Sequence, residues 1–119
     1  MKKIGFIFSH APHGTTFGRE GLDLILGISL LIQDIRLFFI GDGTLQLLKS
    51  YKPENILARD YIPAFSILSL YDIKKYYCCE LSLFERGLNR NIDFLLPVNI
   101  LNLRLLRLKL DDCDTIINF

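Results

Sequence analysis

Runs of large apolar residues recur along the chain in two spacings. From Ile4 to Phe8 every residue is apolar or small, with Ile4, Phe6 and Phe8 alternating with Gly5 and Ile7. A strand apolar on both faces belongs inside a sheet covered on both sides, usually parallel β between helices. Residues 35–40 (IRLFFI) form a second buried strand. Residues 73–78 (IKKYYC) form a third, whose lysines predict an exposed start and a buried end. Between the first two lies FGREGLDLILGISLLI, a long helix too apolar for one buried face. Leu22, Ile25 and Leu26 make one stripe; Leu24, Ile28 and Leu31 make another. One stripe suits the sheet, and the other needs a second cover. The apolar run is about half the ~20 residues of a membrane span, and Asp23 interrupts it.

The later chain repeats the pattern. Residues 44–48 predict a short helix after the turn Gly41-Asp42-Gly43, and residues 49–55 a polar loop. Asp60 is a candidate N-cap of a helix reaching Leu70, with Pro63 in its first turn, where proline is tolerated. Its apolar face holds Ile62, Phe65, Ile67 and Leu68. Residues 79–87 (CELSLFERG) predict a helix with Leu81 and Phe84 inward and Gly87 as a left-handed cap. Residues 94–98 suggest a short strand and 114–118 (DTIIN) the last one. Residues 101–110 (LNLRLLRLKL) read as a helix, because a parallel last strand requires a crossover. This helix again carries two stripes: Leu101, Leu105 and Leu108, and opposite them Leu103, Leu106 and Leu110.

Composition narrows the function. A length of 119 residues fits one domain, 1–119. Half the residues are hydrophobic and mean hydropathy is positive, which predicts apolar surface left for oligomerisation. A net charge of +1 supplies no basic field for nucleic acid. Lys2 and Lys3 precede an apolar stretch too short for a signal-peptide core, so the cytoplasm is expected. Three cysteines, two of them adjacent, make no disulfide framework.

The loop after the first strand carries His10 and His13, with Thr15 and Thr16 as candidate helix caps. Two histidines are too few for a metal site, and no third ligand stands at a readable spacing. The segment GTTFG lacks the Lys-Ser/Thr pair of a phosphate loop. Both this loop and Gly41-Asp42-Gly43 follow strands, as ligand loops do, but without a full phosphate fingerprint. No cofactor is expected. The residue with chemistry is Cys79, where the third strand passes into a helix. A helix N-terminus lowers a thiol pKa, which suits a sulfur carrier or nucleophile. Against that stand the adjacent Glu80, the flanking Tyr76, Tyr77 and Phe84, and the frequency with which free cysteines are core residues. Cys78 points to the opposite side of the strand, and nothing around Cys113 suggests activation.

The segments SHAPHGT, GREGLD, FFIGDGTLQLL, KPENILARDYI, LYDI, SLFERGL and DTIINF occur in this order over essentially the whole chain. Together they resemble the DsrE/F/H family, and within it the C-type (DsrF-like) subunits of the tRNA 2-thiouridine sulfur relay. The resemblance implies an α/β fold of three layers, a mostly parallel five-strand sheet with helices on both faces. It implies a heterohexamer with two copies each of B-, C- and D-type subunits. That assembly takes persulfide sulfur from an upstream carrier and hands it to a small downstream protein, for 2-thiolation of the wobble uridine in tRNA. Contact with tRNA is then indirect. In the family the acceptor cysteine is generally assigned to the D-type subunit. The implied role is therefore accessory, with Cys79 as the sole persulfide candidate and no catalytic residue otherwise.

Overall fold

The computed structural model describes residues 2–11, 17–48, 68, 71 and 73–119, with side chains of the first helix described from Glu20 onward. Strand β1 (Lys3–Phe8) leads to helix α1 (Phe17–Ile28) and strand β2 (Asp34–Phe39). A 3₁₀ helix (Gly41–Leu47) follows, then β3 (Lys75–Cys79), α2 (Glu80–Glu85), β4 (Asn99–Leu101), α3 (Leu103–Asp111) and β5 (Thr115–Asn118). These strands form one five-stranded sheet in the order β4-β3-β2-β1-β5, with every neighbouring pair parallel. The alternating β and α blocks and the α/β class read from the sequence are thus present.

The strand order decides which face each helix covers. From β1 to β4 the chain steps across the sheet in one direction, and from β4 to β5 it jumps back past β1. Right-handed crossovers put helices of the first kind on one face and α3 on the other. The core divides accordingly. Leu22 and Ile25 of α1, Leu47, Leu68 and Leu83 pack on Phe6, Phe8, Ile35, Leu37, Phe39, Tyr76 and Cys78. On the opposite face Leu106 of α3 packs on Phe38, Tyr77 and Cys79, with Leu110 and Cys113 at the margin.

Several expectations shift. The first helix stops at Ile28, where the Leu31 and Ile32 amides both turn back to the Ile28 carbonyl. Gly41-Asp42-Gly43 belongs to the 3₁₀ helix instead of preceding a separate one. In α2, Leu81 and Phe84 face out, and Ser82 and Leu83 face in. Register explains this: β3 runs on through Cys79, and the Gly41 amide donates to Ser82 Oγ at 2.9 Å, which fixes the inner side of a six-residue helix. Residues 94–98 form no ladder. Phe94 makes an isolated bridge to Leu48, and pairing in β4 starts only after Pro97, which has no amide to offer. Leu103, grouped with Leu106 and Leu110, is exposed at the first position of α3, and Leu106 is the buried residue of that helix. The expected loop at 49–55 and most of the helix reaching Leu70 lie outside the described residues; Leu68 is buried in the core.

Candidate functional site

Cys79 is the last residue of β3 and the N-cap of α2. Parallel strands that continue into helices set their final residues at the carboxyl edge of the sheet, where α/β proteins place ligands. Tyr76 to Cys79 are all buried, so the strand reaches that edge inside the core. Cys78 points into the larger cluster and Cys79 into the smaller, as period-two alternation requires. Cys79 is 2 % exposed. Burial pushes the Cys78 thiol up to about 12, with the neighbouring Cys79 adding to the effect. Burial also raises Cys113, against the pull of the Arg36 guanidinium. Cys78 and Cys113 therefore sit protonated at neutral pH. Cys79 itself caps a helix of only six residues that opens with Glu80.

Beyond Cys79 the surface opens into a groove of about 540 Å³ lined by Glu80, Leu81, Phe84, Asn102, Leu103 and Arg104. Phe84 is 77 % exposed and divides it from a second groove of about 460 Å³ that includes Leu88 and Arg90. Glu80 lines both and is paired with Arg90. Helix α2 is tied down from two sides. Arg86 donates to Asp42 at 3.0 Å and to the Ser82 carbonyl at 3.0 Å. At the same C-terminal end the Leu88 amide donates to the Leu83 carbonyl and the Gly87 amide to the Phe84 carbonyl, with Gly87 at φ +70, which is the expected left-handed cap. The Arg86–Asp42 contact spans 44 residues of sequence, so nothing in local spacing signals it.

The other predicted loops fall elsewhere on the same edge. Ser9 Oγ lies 3.4 Å from His10 Nδ1, and the Ser9 amide donates to the Phe119 carbonyl. Gln46, buried, donates to the His10 carbonyl at 2.8 Å. These bonds pin the start of the loop; His13, Thr15 and Thr16 lie outside the described residues. Among the described residues no group of three His, Cys, Asp or Glu is placed to hold a metal. The backbone of Gly41-Asp42-Gly43 is already engaged: the Gly41 amide serves Ser82 and the Gly43 amide the Ile40 carbonyl. Gly43 is there for space, since a Cβ would lie 1.7 Å from the Phe8 carbonyl oxygen. The structure thus gathers Glu80 and Phe84 at one groove, leaves the adjacent Cys79 buried, and gives the His10 carbonyl and the glycine turn to structural bonds. No described helix is long and apolar enough to cross a membrane.

Comparison with known proteins matches this fold. The crystal structure of the ychN protein from E. coli superposes with a TM-score of 0.78 over all of both chains, at 23 % identity, and shows the same fold. Two relatives called Protein TusC align over the full length of both chains. That of Buchnera aphidicola subsp. Schizaphis graminum is 64 % identical, and that of Escherichia coli O127:H6 is 50 % identical. The model of the DsrE/DsrF-like family matches residues 2–119, and the chain belongs to that family.

Proposed function

We propose that the chain is an accessory, non-catalytic subunit of a sulfurtransferase complex that relays persulfide sulfur for 2-thiolation of the wobble uridine in tRNA. Its partners are B- and D-type subunits of the same family, in a heterohexamer with two copies of each, working in the cytoplasm as one domain spanning 1–119. Sulfur leaves through a small downstream acceptor protein, and tRNA is met only through the complex. The observation that carries the accessory role is the burial of Cys79 beneath the α3 face, at the start of a six-residue helix. The full-length likeness to proteins called TusC supports the assignment.

The test is intact mass. The chain is purified with its B- and D-type partners and exposed to a persulfide donor. Co-assembly with no added sulfur on this chain is expected. A soluble monomer that ignores both partners overturns the reading.

A second reading draws on the groove beside Cys79. There the Cys79 thiolate attacks the outer sulfur of a donor persulfide, the donor S–S bond breaks, and the donor leaves as a thiolate. An added mass of one sulfur, lost in Cys79→Ser, selects this reading; no adduct in the assembled complex ends it.

A further inference from the structure

The groove between α2 and α3 lies where the chain parts to the two faces of the sheet. Strands β3 and β4 are parallel neighbours. Strand β3 runs into α2, whose Leu83 packs in the larger core cluster. Strand β4 runs into α3, whose Leu106 packs in the smaller cluster on the opposite face. Adjacent strands whose helices leave to opposite faces open a crevice beyond their carboxyl ends, and open α/β sheets bind ligands there. The groove lined by Glu80, Leu81, Phe84, Asn102, Leu103 and Arg104 joins the starts of both helices and so occupies that crevice. Its volume of about 540 Å³ falls within the range of small-molecule sites, roughly 300–1,000 Å³. Such sites have apolar walls and a few placed polar groups. Here Leu81, Phe84 and Leu103 supply the walls. Of the polar lining, Asn102 accepts from the Leu105 amide and Glu80 is paired with Arg90. Arg104 has no ion-pair partner among the described residues. It stands in the first turn of α3, where a cation opposes the helix dipole, so the helix does not account for it.

We propose that this groove binds a small organic anion, with an apolar body against Leu81, Phe84 and Leu103 and one carboxylate on Arg104. Charge selects the ligand. With Glu80 compensated by Arg90, the guanidinium is the uncompensated charge of the lining, which favours an anion over a cation. Its planar fork matches a carboxylate in geometry as well as in charge. The inference goes beyond the assembly reading, since it concerns a ligand of this chain, and it holds whether or not Cys79 carries sulfur.

The experiment titrates the full chain with octanoate and follows backbone amide shifts by NMR. Acetate, which lacks the apolar body, and octylammonium, which reverses the charge, are the control ligands. Octanoate is expected to move the amides of the groove residues and to bind at least about tenfold more tightly than either control. Arg104→Gln is expected to weaken octanoate by about tenfold or more, as loss of a charged hydrogen-bond partner does. Its amide spectrum away from the groove is expected to stay as it was, which excludes misfolding as the cause. Arg107→Gln, on the same helix but outside the lining, is expected to leave the affinity unchanged. Absence of octanoate binding, shifts centred elsewhere, equal binding of octylammonium, or equal loss in Arg107→Gln each overturns the proposal. So does loss of octanoate binding once B- and D-type subunits have assembled on the chain, which gives the groove to a protein contact. All of these results leave the assembly reading standing.

Discussion

Arg36 is the position at which a single substitution tests the electrostatics of the fold. Its side chain is 7 % exposed, and that of its partner Asp34 is 11 % exposed. Arg36 donates to Asp34 at 3.1 and 3.4 Å and to Asp112 at 2.8 Å. Lys75 reaches Asp34 at 3.0 Å from the neighbouring strand. Arg36→Met removes the guanidinium and keeps its packing, leaving a buried carboxylate with one lysine. Removing one partner of a buried pair costs about 3–5 kcal/mol. Lys75 remains, so the lower end, about 3 kcal/mol, applies. A chain of this length holds roughly 6–18 kcal/mol in all, so the loss shifts a urea midpoint by more than about 1 M. Asp34→Leu/Arg36→Met removes both charges and is expected to recover most of the loss. The acid limb carries the same information. The Arg36 hydrogen bond, ahead of Lys75, holds the Asp34 carboxyl below its ordinary value against the opposing effect of burial. A carboxyl depressed in the folded state contributes stability that is present above its unfolded value, about pH 4, and is lost as pH falls through the folded value. In Arg36→Met the depression shrinks, so acid unfolding begins at a higher pH. A loss under about 1 kcal/mol, or a double variant no better than the single, refutes the reasoning.

Gly43→Ala is expected to cost about 3 kcal/mol or more, because both nearest atoms, the Phe8 oxygen at 1.7 Å and carbon at 2.4 Å, are backbone that must move; a thermal melt reads it. Asn102 accepts from the Leu105 amide at 2.9 Å, so Asn102→Ala is expected to lose about 1 kcal/mol and Asn102→Asp to keep the cap. Equal urea midpoints for Asn102→Ala and the unsubstituted chain contradict that assignment.

Much of the fold was legible because its elements state their pattern locally. Period-two blocks around Phe6, Leu37 and Tyr76 mark strands buried on both faces, and the exposed Lys75 before them marks where β3 starts. Gly87 announced its left-handed turn. What the sequence concealed depends on contacts across the chain. The inward side of α2 is set by Gly41 and Asp42, some forty residues earlier, so helical spacing alone chose Phe84 wrongly. The Arg36 cluster joins β2 to the end of α3 across 76 residues, and an arginine in the middle of an apolar strand was its one local signal. Of the candidate site, the position of Cys79 at a strand end was readable. Its burial was not, because that depends on Phe38 of the neighbouring strand and on Leu106, which reaches it only through the crossover.

That crossover makes the two adjacent cysteines unequal. Cys78 lies on the face covered by α1, the 3₁₀ helix and α2, whereas Cys79 lies on the face where α3 is the described helical cover. Opening α3 by itself uncovers Cys79 and leaves Cys78 sealed, so the thiols report different motions. Leu106 is the one fully inward leucine of α3, and Leu106→Ala removes about 2–5 kcal/mol of packing there. If α3 opens locally, thiol labelling at Cys79 accelerates by roughly thirtyfold or more, since each 1.4 kcal/mol is tenfold. Cys78 then changes by at least about tenfold less, in a measurement by peptide mass after timed alkylation. Parallel acceleration of the two shows that they open only together, in global unfolding, and defeats the argument. So does labelling of Cys79 in the unsubstituted chain at the rate of a free thiol. The expected pattern makes Cys79 a thiol that chemistry reaches only when α3 is lifted.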